Sequence, residues 1–384
     1  MLPGDGSEHL AEAVGRLLIV GFEGTDFSEV ERLIVEVRPA GLIFFKRNYP
    51  GSPEALRALI DKAQRLAEEK LGRRLFMAID HEGGLVQRLP EPYTRLPSAR
   101  EAAGLSDEPL IAAEKAGLGA RELAATGFNF NMAPVLDVAP EGEGGFIGSR
   151  AFSEDPERII ALGRAWLEAF RRAGVLGAGK HFPGLGEAVI DPHHELPVMD
   201  VGLESLRAKD LRPFLALMSS PQSGHCAAEA AVSGDYLGRG EAEAPPAPLV
   251  AVMTTHALYP ALDGERPATF SAAIVNLIKG ESGFSGAVLT DDLEMGAVVK
   301  NYPLGEAAVE AVAAGHDLAL VCRRRDYVDE CRRALIRAAE DGRLGPVRLA
   351  DAHRRSARLL VELDSIRPEE KTLNEWFKRL VGNI

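Results

Sequence analysis

Cysteine is scarce in this sequence. The 384 residues include three cysteines, and no two of them form a CxxC pair. A disulfide framework and a thiolate zinc site both need more cysteines than this, so neither is expected. The pattern favours reduced thiols in a reducing compartment. The three residues are Cys226, Cys322 and Cys331.

Long hydrophobic runs and a targeting segment are also missing. No apolar stretch of the sequence is long enough to cross a bilayer. The first residues, Met1 to Gly6, contain no basic segment followed by an apolar run, which is the pattern of a secretory signal. We therefore expect a soluble, cytoplasmic protein.

Positive charge is in deficit. Lysine and arginine total 44 against 57 aspartates and glutamates, which gives a formal net charge of −13. A surface this acidic repels phosphate groups, so nucleic acid is not the expected partner. No basic amphipathic stretch favours a membrane surface either. Since the sequence shows no sign of an obligate protein partner, a small molecule is the expected ligand.

Short apolar runs recur along the chain, each followed by a polar or glycine-rich patch and then by a helical pattern. They lack clean alternation, as expected for parallel strands that are buried on both faces. Length alone suggests two or three domains, but eight strand–helix units predict one α/β domain, a (β/α)8 TIM barrel. An open doubly wound sheet is the alternative, although no GxGxxG follows the first run. The runs are 17–22, 41–45, 75–79, 128–133, 175–179, 249–253, 286–289 and 318–321.

Helical periodicity is found between the runs, for example over 53–69, 156–173 and 304–314. We expect residues 1–384 to form a single domain with two additions. The stretch from Ser219 to Pro248 predicts an insertion on the bottom face of the barrel, away from the chemistry. Leu373 to Leu380 predicts an amphipathic helical tail that packs on the barrel.

Unusual polar residues follow the apolar runs. The working groups of a TIM barrel lie at the C-terminal ends of its strands, so these residues should meet at one rim. A lone Asp there is more often a helix cap, and a lone His is often a buried hydrogen-bonding group, but their convergence favours a polar ligand site. The residues are Asp80, His81, Glu82 and Arg88; Asp137 and Arg150; Lys180, His181 and the 191–195 stretch; His256; and Asp291 with Asp292.

Two chemistries fit the stretch Asp191-Pro192-His193-His194-Glu195. Its side chains could bind a metal, although the first strand lacks the His-x-His that metal-dependent hydrolase barrels carry there. Alternatively, a His held by an Asp serves as general acid and base, while a carboxylate from another strand, Asp291, attacks or stabilises positive charge. Such a division of labour fits glycoside hydrolysis, whose transition state resembles an oxocarbenium ion.

Several long motifs, in this order, make the chain resemble glycoside hydrolase family 3. The resemblance is to its single-domain bacterial β-N-acetylhexosaminidases, which release N-acetylglucosamine from peptidoglycan fragments, and it runs from about Gly21 to Cys322. The motifs are Phe45-Lys46-Arg47-Asn48-Tyr49, Asp80-x-Glu82-Gly83-Gly84-x-Val86-Gln87-Arg88, Asn131-Met132-Ala133-Pro134-Val135-Leu136-Asp137-Val138, Lys180-His181-Phe182-Pro183-Gly184, Asp191-x-His193, Arg266-Pro267-Ala268-Thr269-Phe270-Ser271 and Thr290-Asp291-Asp292-Leu293-x-Met295.

The resemblance implies that Asp291 is the nucleophile, that Asp191 and His193 form an acid/base dyad on a mobile loop, and that no metal or cofactor is needed. Asp191 would fix the imidazole tautomer and favour its protonated form. We expect His193 rather than His194, since alternate side chains of an extended loop point the same way. Asp292 is expected to cap the next helix. The residues implied for binding N-acetylglucosamine in the −1 subsite are Asp80, Arg88, Arg150, Lys180 and His181.

The sequence departs from the family pattern at two positions, and three other functions stay open. Leu185 stands where the family usually has His, and Pro192 where it has a small hydroxyl residue. A family 3 β-glucosidase or xylosidase usually carries a second domain with a Glu acid and a Ser-Asp-Trp nucleophile motif, whereas no Trp follows Asp291 here. Phosphate could replace water as the acceptor. A non-catalytic sugar-binding protein would not require the intact Asp291, Asp191 and His193.

Overall fold

The computed structural model describes residues 5–140, 146–188, 190–218 and 249–382. The predicted insertion from Ser219 to Pro248 lies outside the described residues. The strands are β1 (Leu18–Val20), β2 (Gly41–Phe44), β3 (Phe76–Ile79), β4 (Phe130–Asn131), β5 (Leu176–Phe182), β6 (Ala251–Thr254), β7 (Leu258–Tyr259), β8 (Asp263–Pro267), β9 (Ala287–Asp292) and β10 (Leu318–Val321).

Eight of these strands form a closed barrel in the order β1-β10-β9-β6-β5-β4-β3-β2, and every pair is parallel. Each predicted apolar run contributes one barrel strand, so the predicted (β/α)8 barrel is confirmed. The two remaining strands, β7 and β8, form an antiparallel hairpin after β6. The carboxyl ends of all barrel strands therefore meet at one rim.

Helices surround the barrel. They are α1 (Asp5–Gly15), α2 (Phe27–Arg32), α3 (Pro53–Leu71), α4 (Ala99–Leu105), α5 (Pro109–Ala112), α6 (Glu114–Thr126), α7 (Pro156–Arg172), α8 (Leu203–Ser205), α9 (Arg212–Met218), α10 (Ala272–Asn276), α11 (Gly296–Val299), α12 (Leu304–Ala314), α13 (Arg325–Glu340), α14 (Pro346–Ile366) and α15 (Glu370–Val381). The three predicted helices correspond to α3, α7 and α12. The predicted tail helix is α15, which packs on α6. No helix among the described residues is long and apolar enough to span a membrane.

Local sequence signals set the helix ends. Ser52 accepts a hydrogen bond from the backbone of Ala55 at 3.2 Å, and Pro53 occupies the first turn of α3. The helix ends at Gly72, whose φ of 64° lies in the left-handed region that glycine adopts without strain. Asp155 caps α7 in the same way, by accepting from the backbone of Glu157. A cap of this kind contributes about 1 kcal/mol to helix stability.

The barrel interior is filled by side chains from alternate strand positions. Leu359 and Leu363 of α14 join this interior cluster and close the bottom of the barrel. Because side chains alternate along a strand, the next inward positions towards the rim are Asp80, Lys180 and Asp291. The interior strand residues, together with Met132 directly after β4, are Ile19, Ile43, Phe76, Ala78, Phe130, Leu176, Ala178, Ala251, Met253, Ala287, Leu289, Leu318 and Leu320.

Candidate active site

An ion-pair network lies at the mouth of the barrel, between the ends of β3 and β5. Lys180 Nζ lies 2.8 Å from Asp80 Oδ1 and 2.7 Å from Glu82 Oε1. Arg150, from the 3₁₀ turn Gly148–Arg150, donates to both oxygens of Glu82, at 2.9 and 2.8 Å. Arg88 reaches Asp80 Oδ2 at 3.4 Å. Four of the predicted sugar-binding residues are thus in one network.

Opposite charges set the protonation states of this network. Burial alone would raise the pKa of the Glu82 carboxyl, but the positive charges of Arg150 and Lys180 outweigh it and hold that pKa well below its usual range. Burial also opposes ionisation of Asp80, whose pKa is nevertheless lowered by Lys180 and Arg88. The pKa of Lys180 is raised, because Asp80 and Glu82 outweigh the effect of its burial. Asp80, Glu82 and Lys180 are therefore all charged at neutral pH.

His181, the fifth predicted sugar-binding residue, is oriented by Asp137. Its Nδ1–H donates to Asp137 Oδ2 at 2.7 Å, and its ring is buried. The other carboxylate oxygen of Asp137 accepts from the backbone of Leu185 at 2.7 Å. This arrangement leaves His181 Nε2 as an acceptor, and Arg150 Nη2 lies 3.4 Å from it. His181 is therefore attached to the same network.

Asp191 and His193 form the predicted pair. His193 Nδ1 lies 2.8 Å from Asp191 Oδ1, and the imidazole packs against the ring of Phe146 with centroids 5.5 Å apart. The predicted extended conformation is wrong: His194 and Glu195 both donate backbone hydrogen bonds to the carbonyl of Asp191, so the segment is a turn. The turn brings the two side chains together because the backbone N–H of His193 also donates to Asp191 Oδ1.

His193 is accessible and has one ring nitrogen to spare. Its side chain is 57% exposed, and the Nδ1–H donated to Asp191 leaves Nε2 facing away from the carboxylate. His194 is exposed as well, next in the same turn. The pair can therefore exchange protons with a ligand without first breaking its own contact.

Asp291 and Asp292 have different environments at the end of β9. Both side chains are partly exposed, and Asp291 accepts a hydrogen bond from the backbone of Asp292 at 2.7 Å. Asp292 accepts instead from the backbones of Glu294 and Cys322. The predicted capping role of Asp292 is wrong, because α11 begins later, with Met295 at its N-cap position. Loss of water contact and the nearby charges of Glu294 and Asp291 raise the pKa of Asp292 to about 7.

His256, after β6, is buried and is held by hydrogen bonds on both ring nitrogens. Nε2 donates to the carbonyl of Asp292 at 2.9 Å, and Nδ1 lies 2.7 Å from the Thr269 hydroxyl. Burial lowers the pKa of His256, the negative charge of Asp291 partly offsets this, and charge on His193 lowers it further. His256 is thus a buried hydrogen-bonding group, and it lies close enough to Asp291 and His193 to interact electrostatically with both.

Two rim residues that the sequence pattern named gain a specific role in the structure, and a third residue of the site was not indicated by the sequence. Glu82 is the central carboxylate of the network, and Asp137 orients His181. Phe146 lies between the dyad and the network, since Arg150 stacks over its ring at 5.1 Å. The sequence pattern places Glu82 and Asp137 among the rim residues but gives neither of them a role. Nothing in the sequence around Phe146 indicates its contacts.

No group of three or more His, Cys, Asp or Glu side chains among the described residues is arranged to hold a metal ion. Two of the candidate ligands, Asp191 and His193, contact each other directly. What the rim offers instead is a set of charged donors and acceptors beside a carboxylate and an oriented imidazole. Such a set can bind sugar hydroxyl groups and supply both a nucleophile and a proton.

Comparison with known proteins points in the same direction. The β-hexosaminidase of Alkalilimnicola ehrlichii is 38% identical over 325 residues, covering 83% of this chain and 84% of that protein. The structure of a glycoside hydrolase family 3 β-N-acetylglucosaminidase from Paenibacillus sp. str. FPU-7 superposes with a TM-score of 0.82 at 32% identity, covering 97% of this chain and 68% of the other. Zn-bound CbsA from Thermotoga neapolitana superposes with a TM-score of 0.76 at 26% identity, covering 92% and 68%.

The family itself is recognised over most of the sequence. Residues 9–227 and 243–359 match the glycosyl hydrolase family 3 N terminal domain. The matched ranges contain every strand of the barrel and all the candidate site residues. The chain therefore belongs to glycosyl hydrolase family 3 and is a glycoside hydrolase.

Proposed function

We propose that the chain is a retaining β-N-acetylglucosaminidase that removes terminal N-acetylglucosamine from saccharides, including fragments derived from peptidoglycan. Asp291 is the nucleophile, His193 is the general acid and base, and Asp191 orients His193. The observation that carries the proposal is the 2.8 Å contact between His193 Nδ1 and Asp191 Oδ1 on a loop at the same rim as Asp291. The names of the similar β-hexosaminidase and β-N-acetylglucosaminidase support the choice of sugar.

The first chemical step forms a glycosyl-enzyme intermediate. The carboxylate of Asp291 attacks the anomeric carbon, and the bond from that carbon to the glycosidic oxygen breaks. His193 donates its Nε2 proton to this oxygen, so the aglycone leaves as an alcohol. Asp191 stabilises the imidazolium that supplies the proton, because its carboxylate accepts the Nδ1–H.

The second step releases the sugar. Neutral His193 takes a proton from a water molecule, and the oxygen of that water attacks the anomeric carbon. The bond to Asp291 breaks and the carboxylate is regenerated. Two displacements at the same carbon restore the original anomeric configuration, which is the outcome of a retaining mechanism.

The ion-pair network fits the binding of the sugar in the −1 subsite. Asp80 offers acceptors to hydroxyl groups, while Arg88 and Lys180 offer donors, and all three are fixed by contacts with one another. Groups that are held in place before the substrate arrives lose little freedom on binding. Arg150 and His181 complete the set on the side that faces Phe146 and the dyad.

The sequence departures at Leu185 and Pro192 do not remove any of these contacts. The Leu185 side chain is buried, and its backbone N–H supports Asp137. Pro192 is buried too, and its carbonyl accepts a hydrogen bond from Ala297. The proposed reaction is therefore compatible with both residues.

The experiment compares hydrolysis of the 4-nitrophenyl β-glycosides of N-acetylglucosamine and glucose, and then labels the enzyme with a slow fluorosugar. We expect a clear preference for the N-acetylglucosaminide and a label on the peptide that contains Asp291. Asp291→Ala should lose several orders of magnitude in kcat, and Asp292→Asn much less. A label on a peptide without Asp291 would overturn the assignment. Formation of a sugar 1-phosphate in phosphate buffer would instead establish a phosphorolytic enzyme.

A further inference from the structure

The loop that carries His193 packs against the chain segment that follows Asp291. The backbone N–H of Gly296 donates to the carbonyl of His193 at 3.0 Å, and the N–H of Ala297 donates to the carbonyl of Pro192 at 3.1 Å. Gly296 lies five residues after Asp291 in the same segment. Two hydrogen bonds thus connect the backbone of the acid/base residue to the segment of the nucleophile.

The contact depends on the missing side chain of Gly296. A Cβ atom at this position would lie 2.6 Å from the carbonyl oxygen of His193 and 2.5 Å from that of His194, both closer than real Cβ contacts. The backbone of Gly296 is helical at the start of α11, a conformation that alanine adopts easily. Close approach of the loop, rather than backbone conformation, is therefore what requires glycine here.

A side chain at position 296 would displace the loop rather than α11. The segment around α11 is anchored: the backbone of Leu293 donates to Leu320 at 3.0 Å, and the side chains of Leu293, Ala297 and Val298 are buried. On the loop, by contrast, His193, His194 and Glu195 are all exposed. The exposed loop has fewer packed neighbours to move, so the cheaper response to a Cβ is for the loop to lift away.

We propose that Gly296 is a positioning residue, which lets the loop dock and so fixes the imidazole of His193 relative to the carboxylate of Asp291. This inference rests on the proposed function, because the contact between the loop and Gly296 affects catalysis only if His193 is the proton donor. Gly296 itself touches neither substrate nor reacting atoms. Its effect on catalysis passes entirely through the carbonyl groups of His193 and His194.

The test is Gly296→Ala, assayed as kcat/KM on N-acetylglucosaminides with good and poor leaving groups. A lifted loop impairs proton donation, so kcat/KM should fall about tenfold or more for a poor phenol and less than about threefold for 2,4-dinitrophenol, which leaves without a proton. The matched control is Gly202→Ala, after the same loop, where a Cβ would have nothing within 4 Å. This control should leave both values and the Tm unchanged.

The two proposals fail in different ways. If His193→Ala shows no dependence on the leaving group, the proposed function is wrong. Suppose instead that His193→Ala does show this dependence. Only the positioning role is then wrong if Gly296→Ala has the kcat/KM values of the unsubstituted enzyme, or if it folds but its kcat/KM falls equally for both substrates. Should Gly296→Ala not fold, hydrogen exchange of the unsubstituted enzyme decides instead: we expect slow exchange of the amides of Gly296 and Ala297, and rapid exchange would overturn the docked loop.

Discussion

Arg150 and Glu82 form a two-point ion pair at the mouth of the barrel, with Nε 2.9 Å from Oε2 and Nη2 2.8 Å from Oε1. The pair is almost fully shielded from water, and Lys180 Nζ adds a second cation 2.7 Å from the same carboxylate. Glu82 therefore connects three separate parts of the chain: the end of β3, the turn that carries Arg150, and β5. Its charge compensates two buried cations that would otherwise repel each other.

Removing this charge should destabilise the fold in a pH-dependent way. Because Glu82→Gln leaves Arg150 and Lys180 poorly compensated, we expect the free energy of unfolding at pH 7 to fall by about 3 kcal/mol. The pKa of Glu82 is lowered in the folded state, so its contribution is complete above the unfolded pKa near 4.5 and is lost as pH falls through the lower folded pKa.

Urea unfolding at pH 7 and at pH 3 measures this difference. The difference in the free energy of unfolding between the unsubstituted enzyme and Glu82→Gln should be smaller at pH 3 than at pH 7. Glu31→Gln, at an exposed position, is the control and should change stability little at either pH. If the difference in the free energy of unfolding were the same at both pH values, the amide would disturb packing and the charge of Glu82 would contribute nothing.

The two neighbouring histidines should differ in catalysis. His193 is in contact with Asp191, whereas His194 is the next, exposed residue of the turn. His193→Ala should lower kcat/KM about 100-fold or more for poor leaving groups and spare activated aryl glycosides. Asp191→Ala should show the same dependence in a weaker form, because the imidazole remains but is less well oriented. The dyad assignment would be wrong if His194→Ala gave this pattern and His193→Ala did not.

The barrel and the position of its site could be predicted from the sequence, because both follow from regularities of a single strand. A parallel strand buried on both faces is an uninterrupted apolar run, and the residue after it lies at the rim. Asp80, Lys180 and Asp291 are found where this argument places them, two residues beyond interior positions of β3, β5 and β9.

Contacts between distant loops could not be predicted in this way. Glu82 and Arg150 are 68 residues apart in the chain, and the contact between Gly296 and the loop that carries His193 joins segments about a hundred residues apart. Pro192 favours an extended conformation at Asp191, but the backbone hydrogen bonds from His194 and Glu195 to the carbonyl of Asp191 fold the segment into a turn. Tertiary and local hydrogen bonds decided these features, and a single sequence does not display them.

Activity is expected without a metal ion. The proposed mechanism uses a carboxylate and an imidazole, so dialysis against EDTA should leave kcat within about twofold of the starting value. Zn²⁺ is the ion to add back, because CbsA from Thermotoga neapolitana has a Zn-bound structure. Metal content measured before and after dialysis shows whether the treatment worked. Loss of activity that Zn²⁺ alone restores would instead favour a metal site that includes Asp191 and His193.

Asp210 is a buried carboxyl next to Gly184, which follows β5. Its side chain packs against Gly184, where an added Cβ would lie 2.6 Å from Asp210 Cβ, and the carbonyl of Gly184 accepts a hydrogen bond from Tyr259 at 2.6 Å. Burial raises the pKa of Asp210 from its ordinary value of 3.8 to about 7, with a further contribution from Glu187. An acid whose pKa is raised by folding destabilises the folded state once it ionises.

This destabilisation should disappear when the charge of Asp210 is removed. As pH rises from about 4 to 7, the unfolded state ionises first, so the unsubstituted enzyme loses stability across that window and no further above it. Asp210→Asn keeps the shape without the charge, so at pH 8 it should be more stable by about 2–4 kcal/mol, and at pH 4 nearly equal. Thermal unfolding at the two pH values measures the difference, with Asp107→Asn, which is 98% exposed, as the control. Equal stability of Asp210→Asn and the unsubstituted enzyme at pH 8 would mean that Asp210 ionises at its ordinary pKa, and that water or a neighbouring cation already stabilises its charge.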